Sequence, residues 1–298
     1  MKTLLLVYIL LFLSCTRTVD LSVPSHQPKL VLHGYIGVDS TINVAIGKTI
    51  PANITVEDTS TYIKDAWVVL YENDVFSDSL RYNDSELRYI SQKVAQKGKM
   101  YTIVAGAPGF ETVEASAMAP LPVETINISY IKEARTDNDG DLQNDVKFTV
   151  KDPATETNYY LAALYPPGAI PYFMCISTFD PVIEKPTRDL IPIDESCINN
   201  DEIIFTDQSF NGSLKEITIS AATRLMQIYT DRLTGNVYRP WLKVYNISKD
   251  YYRYLKNTIS IEIDPEIPSL TEPVAVKGNV KNGYGLFTIF TVTSDTLR

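Results

Sequence analysis

Histidine is almost missing from this sequence: its 298 residues hold His26 and His33 and no third. Zinc centres gather three or four His, Cys and carboxylate ligands. With both histidines near the N-terminus, such a centre is not expected. A nucleophilic triad would have to recruit one of the same two, and no G-x-S-x-G elbow offers a serine. Neither a glycine-rich phosphate loop nor an H-E-x-x-H segment occurs. Among 36 carboxylates no motif singles out two for acid–base work. Positive charge is short as well, with 27 Lys and Arg giving a net charge of −9. That surface disfavours nucleic acid and supplies no polybasic patch for anionic lipid. The chain is therefore read as a non-enzyme that binds neither.

Apolar runs are scarce too, with one exception at the start. Met1 and Lys2 precede ten apolar residues from Leu4 to Leu13, then Ser14 and Cys15. A charged start, a short apolar run and a small residue before a cleavage point describe a signal peptide over residues 1–14. Spanning a bilayer takes about 20 apolar residues, so this run does not span. Leu13-Ser14-Cys15 resembles a bacterial lipobox, with Phe12 where leucine is commonest. The expectation is lipidation at Cys15, each buried CH₂ contributing about 0.8 kcal/mol to a stable anchor. Of the three cysteines, Cys175 and Cys197 then remain. In an oxidising compartment they most simply form one disulfide, closing a loop of about 22 residues and stabilising by roughly 3 kcal/mol. Two buried thiols or a metal site are the alternatives, the metal site disfavoured because the histidines are His26 and His33 alone.

What is abundant is the material of strands. Residues 15–27 read as a lipidated polar tether. From Lys29 onward, short runs rich in Val, Ile, Tyr and Thr recur: KLVLHGYI (29–36), TINVAIG (41–47), AWVVLYE (66–72), MYTIVAG (100–106) and ETVEASA (111–117). Their length and spacing predict an antiparallel β-sandwich over 28–120. YTIVAGAPGF (101–110) resembles the strand and turn of transthyretin-like sandwiches. Pro120-Leu121-Pro122 marks the expected boundary, since prolines stiffen a linker and cannot continue a central strand. A second β-rich domain is read over 121–298, with an inserted loop at 166–201. Its runs include TINISYI (125–131), DVKFTVKD (145–152), NYYLAALY (158–165), EIIFTD (202–207), EITISAA (216–222), LMQIYTD (225–231) and WLKVYNI (241–247). One helix is expected over Lys249 to Ile259, capped by Ser248, with Tyr251, Leu255 and Ile259 on one face. Lys281-Asn282-Gly283-Tyr284 predicts a hairpin between two final strands. The fold class is thus mainly β: two consecutive immunoglobulin-like or transthyretin-like sandwiches and one short helix.

The lipobox at Cys15, KLVLHGYI, VKFTVKDPATETNYYLAALY (146–165), FTDQSFNG (205–212) and TEPVAVKGNVKNGYGLFTIF (271–290) come in an order and spacing with a family likeness. Together they resemble a family of Bacteroidetes-type outer-membrane lipoproteins classed as a domain of unknown function. Members are typically encoded beside TonB-dependent receptors. The resemblance implies a surface-exposed accessory of nutrient transport, partnered by a receptor barrel. It supplies no catalytic residues to carry over.

Two constellations stand out as candidate sites. Asp137, Asp139 and Asp141, with Asp145 beyond, alternate around Gly140 and could converge oxygens on calcium, which takes six to eight. The EF-hand register fails in either alignment, and a solvated hairpin turn has the same composition. Tyr251, Tyr252 and Tyr254 on the predicted helix form a candidate recognition surface, against ordinary amphipathic packing. The 166–201 loop is a candidate partner contact. Asp207 and Asn211-Gly212 read as a carboxylate or simply as a tight turn. Three functions are carried forward. They are a non-enzymatic accessory of a TonB-dependent receptor, a stand-alone adhesin or glycan-binding surface lipoprotein, and a hydrolase whose site has no motif.

Overall fold

The computed structural model describes residues 27–50, 61–137, 140–154, 156–167, 176–183, 202–259 and 276–298. Residues 1–14, Cys15, Cys175, Cys197, Asp139 and most of the 166–201 loop lie outside them, as does the Ile259 side chain.

The chain is mainly β. It opens with β1 (Leu30–Gly37), β2 (Thr41–Lys48), β3 (Trp67–Glu72), β4 (Val75–Ser79), β5 (Arg81–Asn83), β6 (Arg88–Val94), β7 (Met100–Gly106) and β8 (Val113–Met118). There follow β9 (Glu124–Thr136), β10 (Leu142–Lys151), β11 (Tyr159–Tyr165), β12 (Ile176–Ser177), β13 (Glu202–Thr206) and β14 (Leu214–Ala222). Last come β15 (Tyr229–Thr230), β16 (Val237–Tyr238), β17 (Trp241–Ile247), helix α1 (Lys249–Ile259) and β18 (Tyr284–Thr296). Eight strands make one sheet in the order β13-β11-β17-β18-β1-β2-β6-β5, faced by the sheets β4-β3-β7-β8 and β12-β14-β10-β9.

Alternation decides which side of each strand is buried. In β1, Leu30, Leu32 and Ile36 enter a first core with Leu70, Tyr101, Ile103 and Val113. In β10, Val146, Phe148 and Val150 enter a second with Tyr160, Phe205, Ile217 and Val244. Period-2 burial of this kind is what a half-buried sheet requires. Two sandwich-like cores therefore follow one another, and β18 serves both: Phe287 and Ile289 pack in the first and neighbouring Leu297 in the second. Ala119 ends the first core and Val123 begins the second, on either side of Pro120-Leu121-Pro122. Side chains of the large sheet hold this crossing. Asn246 Nδ2 and Thr291 Oγ1 donate to the Leu121 carbonyl at 3.1 and 3.0 Å, and Thr293 Oγ1 donates to that of Val123 at 2.6 Å.

Three local expectations fare differently. The helix forms where the capping argument puts it: the Tyr251 N–H donates to Ser248 Oγ at 3.1 Å. Ser248→Ala should therefore cost about 1 kcal/mol, measured as a lower chemical-denaturation midpoint; an unchanged midpoint would show that the cap contributes nothing. The segment 225–231 is not one strand. Thr223–Leu225 is a 3-10 turn, Met226 is fully buried in the second core, and only Tyr229–Thr230 pairs, with β16. The Asn-Gly hairpin also fails. Residues 276–280 form no strand, and β18 instead runs parallel to β1, from Val31 opposite Tyr284 to Gly37 opposite Phe290. Asn279 takes the place of a first strand, its Nδ2 donating to the Phe287 carbonyl at 2.8 Å and its Oδ1 accepting from the Phe287 N–H at 2.9 Å. Burying Phe287 and Ile289 between two sheets outweighs a local turn preference worth little more than its own two residues.

Candidate functional site

The face of the large sheet turned away from the second core is unusually aromatic. Register fixes its rows. Tyr165 on β11 lies opposite Trp241 on β17, which lies opposite Thr296 on β18. One step along, Ala163, Lys243 and Ser294 align; the next row is Leu161, Tyr245 and Val292. Same-face neighbours two residues apart on a strand are separated by about 7 Å, and adjacent strands by about 4.8 Å. Helix α1 leaves β17 at Ser248 and folds back over part of this face, burying Tyr252 to 6% exposure against Leu161, Ala163, Ile204 and Ile247.

Rings pack edge-on and tilted beneath and beside the helix. Tyr252 meets Tyr159 at 5.1 Å between centroids, Tyr251 meets Tyr35 at 5.6 Å, and Tyr245 meets Phe290 at 5.6 Å. The Tyr165 and Tyr245 hydroxyls are 3.2 Å apart, and the Lys243 ammonium sits over the Tyr165 ring at 4.4 Å. Burial pushes the Tyr251 hydroxyl up to about 12, with the Glu202 charge adding to the effect. Burial likewise raises Tyr35, assisted by Tyr254, and Tyr245, assisted by its bond to Tyr165. The hydroxyls are thus set among ring faces, with the Lys243 ammonium and the Glu202 carboxylate in one row of the sheet on either side of Ala163. Such an array can stack on an apolar ring face and hydrogen-bond its polar edge.

The three tyrosines singled out from the sequence are divided by this packing. Tyr252 is core, which corrects its reading as exposed: consecutive helix residues point about 100° apart, and Tyr252 is the one facing the sheet. Tyr251 and Tyr254 are half-buried at the helix margin. Trp241, Lys243 and Tyr245 were not singled out, although their W-x-K-x-Y alternation places them on one strand face.

Asp137, Gly140 and Asp141 lie between β9 and β10, the Asp137 N–H donating to the Asp141 carbonyl at 3.0 Å and the Gly140 N–H to that of Asp137 at 3.2 Å. Asp137 spends both carboxylate oxygens there, Oδ1 accepting from the Asp141 N–H at 2.8 Å and Oδ2 from Gln143 Nε2 at 2.7 Å. Asp145 lies out on β10, accepts from the Ser220 hydroxyl and pairs with Arg135 Nε at 3.4 Å. Asp137 and Asp141 thus share a turn that Asp145 does not join, and no cluster of three metal-binding side chains occurs among the described residues. Asp207 is fully buried beside Asn158, whose N–H donates to its Oδ2 at 2.8 Å.

No curated protein matches this chain. Among solved structures, a Salmonella alpha-2-macroglobulin mutant is similar at 11% identity and a TM-score of 0.26, with 80% of this chain covering 15% of that one. A beta-glycosidase from Bacteroides vulgatus is similar at 11% identity and a TM-score of 0.20, with 74% of this chain covering 24% of that one. The chain spans at most about a quarter of either. A family model described as a domain of unknown function, DUF4249, matches residues 16–296, and the chain belongs to that family.

Proposed function

We propose that the protein is a non-enzymatic binding lipoprotein, anchored through Cys15 at the surface of the outer membrane, that serves as an accessory of a TonB-dependent nutrient receptor. The observation that carries the binding part is the ring-and-hydroxyl face just described, built on strands and held by packing on both sides. Recognition surfaces are best placed on such rigid elements.

The long strand adds a direction. Val31 pairs with Tyr284 at one end of β18 and Trp241 with Thr296 at the other. At about 3.3 Å per residue these points are roughly 40 Å apart along the strand. An anchor leading into β1 therefore supports a reading in which the aromatic rows of β17 lie at the end away from the membrane. A second reading, a stand-alone glycan-binding adhesin, draws on the same face.

Mild-detergent purification of the tagged protein from outer membranes separates the two, with Cys15→Ala as the unanchored control. The expected result is a receptor barrel in near-equal amount, recovered with the anchored chain. Recovery of the anchored chain alone sinks the accessory reading and leaves the adhesin.

A further inference from the structure

We propose that the part of this face beyond the helix is a saccharide-binding shelf, floored by Trp241, Tyr165 and Lys243 and walled by Tyr245 and Tyr251. The inference deepens the binding reading above and rests on it.

The rows of the sheet set the shelf out. Trp241 and Tyr165 are direct cross-strand partners; Trp241 remains 43% exposed and supplies the open ring, while the Tyr165 ring is capped by the Lys243 ammonium. Lys243 follows one step along, over the Tyr165 ring. Its cross-strand neighbours are Ala163 and Ser294, one too small to cover it and the other a hydroxyl. Tyr245 ends the row with its hydroxyl beside that of Tyr165, and Tyr251 on α1 stands at the same end. From Trp241 to Tyr245 the run is roughly 13 Å, room for a short oligosaccharide.

The mixture of groups selects the occupant. An apolar protein surface or a lipid would have to cover Lys243, and burying an ammonium whose cation–π contact is a single ring is costly. An anionic peptide would use the charge and waste the rings. A pyranose ring uses both, because its C–H face stacks on an aromatic ring while its hydroxyls, or a uronic carboxylate, accept from an ammonium and from tyrosine hydroxyls.

Tryptophan count makes the test direct. The chain has two, Trp67 and Trp241, so Trp67→Phe in the full chain leaves Trp241, inside the proposed site, as the sole tryptophan, excited selectively at the red edge where tyrosine does not absorb. Titration with maltohexaose, cellohexaose, xylohexaose and trigalacturonate is expected to give a saturable emission change with at least one of them. Calorimetric titration of the unsubstituted chain reads the same binding should Trp67→Phe fail to fold. For the sugar that binds, Trp241→Ala should weaken affinity at least about tenfold, or about 1.4 kcal/mol. Lack of saturable binding of all four probes by calorimetry overturns the proposal, and so does an affinity unchanged in Trp241→Ala. Neither readout involves a receptor, so failure here and failure of the accessory reading are separate results.

Discussion

Gly285→Ala should cost more than about 4 kcal/mol, at the exceptional end of single substitutions, and lower the melting temperature by on the order of 10 °C. Gly285 has φ +113°, and a Cβ built there would stand 2.0 Å from the Leu32 carbonyl oxygen. Leu32 is its partner in the parallel β1–β18 ladder, and the same Leu32 is held on its other side by Ile46 of β2. The oxygen is backbone in the middle of a sheet, so it cannot swing aside as the end of a flexible side chain would. On the far side, a Cβ on Gly278 would stand 1.5 Å from the Gly285 carbonyl oxygen, so three backbones are stacked without room for a methyl group. Gly140→Ala is the matched control. It also has a left-handed φ, +88°, but nothing lies within 4 Å, so it should lose only about 1 kcal/mol from backbone strain. Thermal unfolding followed by circular dichroism compares the two. A Gly285→Ala protein melting as the Gly140→Ala protein does would mean that β18 does not lie against β1 in this register.

That close approach was not legible in the sequence, and the reason is physical. Strand identity is a local property: LVLHGYIG and WLKVYNI announce themselves through alternation and β-branched or aromatic residues. Pairing is non-local. Lys281-Asn282-Gly283-Tyr284 has the composition of a hairpin, and Asn282 does adopt φ +60°, yet the partner of the following strand comes from 253 residues earlier. The same limit applies to the shelf. Alternation could place Trp241, Lys243 and Tyr245 on one face, but it could not say that Tyr165 lies beside Trp241, because that depends on β11–β17 register. The helix was legible to its cap, since Ser248 acts within its own turn. Which of Tyr251 and Tyr252 is core was not, because the answer depends on the sheet beneath. Asn73-Asp74, both with positive φ, close the β3–β4 hairpin as a two-residue turn of a type that Asn and Asp tolerate.

Asp207→Asn should make the protein more stable at neutral pH, and the gain should vanish in acid. Asp207 is fully buried, and its Oδ1 has no hydrogen-bond partner among the described residues. Its Oδ2 accepts from the Asn158 N–H, which alone does not offset the lost hydration of a carboxylate. Burial raises its pKa, the Asn158 bond opposes this, and the charge of nearby Asp152 raises it further. Asp152 is the better served of the two, accepting from the Tyr160 hydroxyl at one oxygen and from the Gly212 N–H at 2.8 Å at the other. For an acid whose folded pKa is raised, stability is greatest with the proton on in both states, below the unfolded value near about 3.9. It falls as pH rises toward and through the folded pKa, because the folded state must then hold a charge it solvates poorly. Asparagine keeps an oxygen for Asn158 and puts an amide where the orphaned oxygen was, uncharged at every pH. The expected gain at about pH 8 comes from removing the charge, about 1.4 kcal/mol for each unit by which the folded pKa is raised, and shrinks toward zero at about pH 4. Asp207→Ala, which abandons the Asn158 N–H and leaves a void, should instead be less stable than the parent at both pH values. Denaturant midpoints at the two pH values decide the matter. If the Asp207→Asn advantage is absent at the higher pH, or equal at both, Asp207 does not carry an uncompensated charge in the folded protein.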